Sequence, residues 1–149
     1  MAKLVSNSEL NVGERAFCDA ICMALADAVV VYAKREIYGR EFDFCLLIPN
    51  VGIVVVEVKG WSEDSIVGVE DGDQIVVNYG LEQHRQNPKK QSRSYRFALL
   101  SKIRKATGLA PLIFDMVCYP FVGRDFFVSR GLDAISEERF TFLREDLSD

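Results

Sequence analysis

Apolar positions recur along the chain with two different periods. From Ser8 to about Asp27, the residues Phe17, Ile21, Ala24, Leu25 and Ala28 are spaced by three and four. That is the period of an amphipathic helix, and Ser8 or Asn11 can cap its start. Ala28 to Ile37 turns β-rich through Val29, Val30, Val31 and Tyr32, and Tyr38-Gly39-Arg40 reads as a turn. Two further strands, Glu41 to Ile48 and Val51 to Lys59, are joined around Pro49-Asn50-Val51-Gly52, which suits a tight hairpin. Ile66 to Val69 and Gln74 to Asn78 bracket Glu70-Asp71-Gly72-Asp73, and an Asp-Gly turn between β-branched runs predicts a second hairpin. Pro88 stands in the first turn of a helix that reaches Lys105 and stops near Gly108. Leu112 to Tyr119 is another apolar strand, ended by Pro120; residues 121 to 139 read as loop with at most one helical turn, and Phe140 to Arg144 as a late strand. The core order is α-β-β-β-α-β. It predicts an α/β fold with a central mixed β-sheet flanked by α-helices. No repeat, low-complexity tract or linker interrupts the pattern, so residues 1–149 are expected to form a single domain.

Composition narrows the class without naming a chemistry. Hydrophobic residues make up 49% of the chain and charged residues 27%, ordinary values for a soluble globular domain. No apolar run approaches the length of a membrane span, and the N-terminus lacks the apolar stretch of a secretory signal. The four cysteines, Cys18, Cys22, Cys45 and Cys118, form no Cys-x-x-Cys pair, and His84 is the one histidine, so a structural zinc site is a poor fit. They read as buried free thiols in a reducing, cytoplasmic setting. The net charge of -4 argues against coating nucleic acid through bulk charge. Its distribution is uneven, however. Eight Lys or Arg residues and no acid lie between His84 and Lys105. Lys89, Arg93 and Arg96 share one face of the predicted helix, either as a track for a phosphate backbone or as a solvated face.

The chemistry-bearing stretch is Ile53-Val54-Val55-Val56-Glu57-Val58-Lys59. Side chains alternate along a strand, so Glu57 and Lys59 share one face while Val54, Val56 and Val58 take the other. If the hairpin pairs Leu47 with Ile53, Asp43 on the preceding strand lies opposite Glu57, with Cβ atoms about 5 Å apart. Two carboxylates that close repel unless a cation sits between them, and oxygen-only ligands with open positions suit Mg²⁺ or Mn²⁺. Without the metal, at least one of the two carboxyls is expected to have a raised pKa. Lys59 beside such a metal can hold a water or stabilise charge developing on phosphate. From the residues alone, a surface ion pair among Asp43, Glu57 and Lys59 is the competing reading. Trp61 is read as a hydrophobic plug at the sheet edge rather than a stacking platform. Nothing places His84 near the carboxylates, and no phosphate-binding loop of the P-loop type is present.

Asp43 followed by "GIVVVEVKGW" resembles the PD-(D/E)XK nuclease pattern, and the chain as a whole resembles its nuclease-related (NERD) family. "VGERAF" places Gly13-Glu14 where the family carries Gly-Glu in its first helix. "EFDFCLLIP" matches the family's Asp and the apolar strand after it, and "NPKKQSRSYRFALL" places Gln91 after Asn-Pro in the second helix. The resemblance implies a restriction-endonuclease-like core and metal-dependent hydrolysis of DNA. Asp43 and Glu57 would bind Mg²⁺ or Mn²⁺, Lys59 would serve the attacking water, and Glu14 and Gln91 would face the same site. "FTFLREDLSD" resembles the segment preceding the helicase module in helicase-fused relatives. This implies a helicase domain in the same chain or a partner, with the present residues excised from a longer protein or acting beside that partner. The alternative from another class is a non-catalytic nucleic-acid-binding or interaction module on the same fold.

Overall fold

The structure is a computed structural model that describes residues 1–6 and 9–148. Its centre is a six-stranded sheet in the order β1-β2-β3-β4-β8-β9. The strands are β1 (Lys3–Ser6), β2 (Val30–Ile37), β3 (Arg40–Ile48), β4 (Gly52–Val58), β8 (Ile113–Cys118) and β9 (Thr141–Phe142). β2, β3 and β4 are antiparallel neighbours, whereas β1–β2, β4–β8 and β8–β9 run parallel, so the sheet is mixed. Helix α1 (Val12–Ala24) covers one face and α2 (Pro88–Thr107) the other. This is the central mixed sheet between helices that the periodicities predict, and it accords with a restriction-endonuclease-like core.

The two faces follow from alternation. Val54, Val56 and Val58 of β4 pack with Phe17, Cys18, Ile21 and Cys22 of α1. Val55 and Ile53 pack with Tyr95, Ala98 and Leu99 of α2. All four cysteines are buried and free. A separate three-stranded antiparallel sheet, β5 (Ile66–Glu70), β6 (Gln74–Tyr79) and β7 (Glu82–Gln86), contains the predicted Asp71-Gly72 turn. Both of those residues are left-handed, at φ 56° and 71°. This sheet packs through Ile66, Ile75 and Val77 onto the C-terminal segment, where α3 (Arg124–Ser129) contributes Phe127 and residues 141–143 contribute Leu143. No helix among the described residues is long and apolar enough to cross a membrane.

Several boundaries differ from the sequence reading. The first helix starts at Val12, capped by Asn11 through a capping box with Glu14, and ends at Ala24; the alternative cap Ser8 lies outside the described residues. β1 has no counterpart in the sequence reading, because four residues at a chain end carry no measurable period. β7 has none because Glu82-Gln83-His84-Arg85-Gln86 is wholly polar: it is an edge strand held by its ladder to β6 rather than by an apolar face. Residues 121–139 carry a six-residue helix and short 3₁₀ turns, more than the one helical turn expected there, and the late strand shrinks to Thr141–Phe142.

Candidate active site

The β3–β4 ladder has the expected register, with Leu47 opposite Ile53 and Phe44 opposite Val56. Pairing ends there, and the Asp43 side chain takes over: its Oδ2 accepts the next N–H of β4, from Val58, at 2.8 Å. Asp43 is thereby anchored where the two strands part.

Both β2 and β3 change sides at this point. Val31 and Ala33 face α1 while Ile37 packs under α2; Phe44 and Leu46 face α1 while Phe42 packs under α2. The exchange falls on Lys34 and Asp43. Ala33 pairs with Phe44 and Arg35 with Phe42, and between them Lys34 adopts a left-handed backbone, φ 55°. A non-glycine residue in that region is strained, and such strain persists only where its surroundings over-determine it. Here they do: Lys34 Nζ lies 2.9 Å from Glu14 Oε1, 3.0 Å from Glu41 Oε1 and 3.8 Å from Asp43 Oδ1. Burial disfavours the ammonium, but hydrogen bonds to Glu14 and Glu41 outweigh that and raise its pKa.

Glu14 reaches the site from the first turn of α1. It is 3% exposed and accepts from the Asn11 backbone and side-chain amides at 3.2 and 2.9 Å as well as from Lys34. Its neighbour Gly13 explains the helix's position: a Cβ there would stand 2.8 Å from Gly60 Cα, so only glycine lets α1 close onto the end of β4. Glu57 and Lys59 follow one another on the same side of β4, with Lys59 Nζ 3.3 Å from Glu57 Oε1. The other carboxylate oxygen, Glu57 Oε2, is buried with no hydrogen-bond partner among the described residues.

These residues share a cleft of about 520 Å³ whose walls include Glu14, Asp43, Glu57, Lys59, Trp61, Tyr79 and Phe121. Burial, and then the charge of Asp43, raises the Glu57 pKa to about 7, although Lys59 opposes this. Burial also raises that of Asp43. The expected perturbation of the pair is therefore present, with loss of solvent rather than like charge as its first cause.

The remaining sequence-predicted residues differ in where they lie. Gln91 does not line the cleft, and its Oε1 is buried without a partner among the described residues. Trp61 is 6% exposed, stacks toward Tyr119 and donates Nε1–H to the Tyr79 hydroxyl at 2.7 Å, which bears out the plug. Two of the three helix cations turn inward. Lys89 Nζ and Arg96 Nη1 lie 2.9 and 2.6 Å from the two carboxylate oxygens of Asp115, which is 5% exposed on β8. Arg93 is exposed and has no ion pair among the described residues.

Sequence reasoning missed Lys34, Tyr95 and Asp115. Two had a signal: for Asp115 a lone charge inside an apolar strand, and for Tyr95 a hydroxyl on the sheet-facing stripe of α2; Lys34, followed directly by Arg35 and Glu36, had none. Burial, followed by the negative charges of Glu57 and Asp43, lifts the Tyr95 hydroxyl to about 12.

The family model for the nuclease-related domain, NERD, matches residues 10–120, a span that takes in Glu14, Asp43, Glu57, Lys59 and Gln91. No curated protein and no solved structure matches the chain. Because the matched span covers most of the sequence, the chain belongs to the nuclease-related domain family.

Proposed function

We propose that the protein is a metal-dependent phosphodiesterase acting on DNA, with Asp43 and Glu57 holding Mg²⁺ or Mn²⁺ and Lys59 acting on the phosphate and the attacking water. The observation that carries this reading is the orphaned Glu57 Oε2, buried beside a second carboxylate. A buried acceptor without a donor is unfavourable, and a cation between the two carboxyls relieves both that deficit and their repulsion. Among the described residues no three His, Cys, Asp or Glu side chains form a closed metal cage. Two carboxylates suit an ion that keeps several of its waters, as Mg²⁺ does. When bound, the ion supplies Lewis acidity toward a phosphate oxygen and acidifies a water.

The chain's own residues do the rest. Lys59, held at 3.3 Å from Glu57, points a compact ammonium into the cleft, where it donates hydrogen bonds to phosphate oxygens as their charge grows. Asp43 is fixed by the Val58 N–H, so its other oxygen, which faces Lys34, needs little reorganisation. Glu14 acts at one remove. It is occupied by Asn11 and Lys34, so its role is to hold Lys34 against Asp43 rather than to bind substrate.

Calorimetric titration of Mn²⁺ tests this reading. The parent is expected to bind one equivalent more tightly than Asp43→Ala by at least about tenfold, because the variant loses a charged ligand. Equal binding by parent and variant contradicts the assignment of Asp43.

A further inference from the structure

A second depression lies on the α2 side of the sheet, between the β2–β3 turn and the exposed face of α2. It measures about 710 Å³, and Tyr38, Arg40, Lys90, Arg93, Ser94 and Phe97 line it. Its chemistry is unlike that of the carboxylate cleft. Three cations meet two exposed aromatic rings, Tyr38 at 56% and Phe97 at 54% exposure. The cations are only lightly engaged by the protein. Arg93 has no ion pair among the described residues, Lys90 reaches Asp73 at 3.8 Å, and Arg40 donates to the Ser94 hydroxyl.

The rings are placed at some cost. Tyr38 and Gly39 form a two-residue turn between the paired residues Ile37 and Arg40, with φ 50° and 76°. Such turns favour Asn, Asp or Gly at the first position, and a bulky aromatic there is strained. Each ring already carries a cation on one side, Arg96 4.8 Å from the Phe97 centroid and Lys105 5.6 Å from that of Tyr38. A flat π-system on the opposite face would complete a sandwich.

We propose that this groove binds single-stranded nucleic acid and leads it to the carboxylate cleft, with phosphates on Arg40, Lys90 and Arg93 and bases stacked on Phe97 and Tyr38. Basic side chains interleaved with exposed aromatics recognise unpaired bases, whose faces are free, whereas a duplex keeps its base faces inside its own stack. The groove also points the right way. Arg40 opens β3 three residues before Asp43, about 10 Å along the strand. Tyr95, next to the groove residue Ser94 on α2, packs into the core under β3 and β4, and its hydroxyl feels the charges of Glu57, Asp43 and Arg40. The inference rests on the nucleic-acid reading above and specifies its substrate as a single strand.

Fluorescence anisotropy on the full chain, in EDTA to prevent cleavage, tests it with a labelled oligothymidylate of about 15 nucleotides and a duplex of the same length. The parent is expected to prefer the single strand. Phe97→Ala should weaken single-strand binding by about 5- to 100-fold with an unchanged salt slope. The pair Lys90→Ala and Arg93→Ala should instead flatten the slope of log affinity against log salt by about 1.4, because two phosphates are no longer neutralised by the protein. Tyr38→Gly relieves the turn, so a loss of affinity with a preserved melting temperature assigns the ring to binding rather than folding. Parental affinity in Phe97→Ala and Tyr38→Gly, or a parent that prefers the duplex, overturns the proposal. Because the assay reads binding alone, a parent that binds the single strand but cleaves nothing leaves the groove standing and fails only the phosphodiesterase reading. A parent that cleaves while the groove variants bind normally does the reverse.

Discussion

Lys59→Ala is expected to lower the rate of metal-dependent DNA cleavage by about 10²- to 10³-fold while changing Mn²⁺ affinity by less than about tenfold. Lys59 touches Glu57 Oε1 and overhangs the Trp61 ring, 5.7 Å from its centroid. Its ammonium therefore has a fixed place at the cleft wall, and its donors meet charge that develops only as the phosphate reacts. An interaction made in the transition state and not in the ground state appears in kcat rather than in binding. Two smaller effects on metal affinity oppose each other. Losing the ammonium removes a repulsion toward the incoming cation, yet it also removes the charge that holds the Glu57 pKa down. Single-turnover cleavage at saturating Mn²⁺, set beside calorimetry on the same variant, checks both halves. A variant that cleaves at the parental rate removes Lys59 from the mechanism.

The second large effect is on stability and depends on pH. The pKa of Glu57 stands at about 7 in the folded protein against 4.5 for an unperturbed glutamate. Below about 4.5 folded and unfolded chains both keep the proton. As pH rises past that value the unfolded chain ionises first, and the metal-free native state loses stability until Glu57 itself ionises near 7. The loss is on the order of 3 kcal/mol, with Asp43 acting in the same direction. Glu57→Gln keeps the shape and carries no charge. At about pH 8 the metal-free variant should therefore melt higher than the parent by about 5–10 °C, and the difference should vanish near pH 4. Mn²⁺ should raise the parent's melting temperature at the higher pH by mass action and leave that of the variant nearly unchanged. Parallel melting curves for the two proteins across this range contradict the buried, cation-seeking carboxylate.

Much of the cleft was legible because it hangs on one strand and one hairpin. The alternation in Ile53–Lys59 sets which side Glu57 and Lys59 share, and the Pro49-Asn50 turn sets a register that brings Asp43 to the same end. The kink at Lys34 was not legible. A lysine carries no preference for a left-handed backbone, and the kink is held in place by Glu14, Glu41 and Asp43, which come from separate parts of the fold. The basic helix shows the same limit. The spacing of Lys89, Arg93 and Arg96 places them on one face, but the buried Asp115 beneath that face draws two of them inward. What remains for a ligand is Arg93 with Lys90, joined by Arg40 from the β2–β3 turn, a set that only tertiary packing brings together. β7 escaped notice for a similar reason, since its pairing with β6 owes nothing to an apolar pattern of its own.

The most direct test is incubation of the purified chain with single-stranded and duplex DNA in Mn²⁺, alongside Asp43→Ala and an EDTA control. The expected result is Mn²⁺-dependent cleavage by the parent that both Asp43→Ala and EDTA abolish. A parent that binds DNA and Mn²⁺ but leaves every DNA form intact contradicts it and makes the protein a non-catalytic nucleic-acid-binding module.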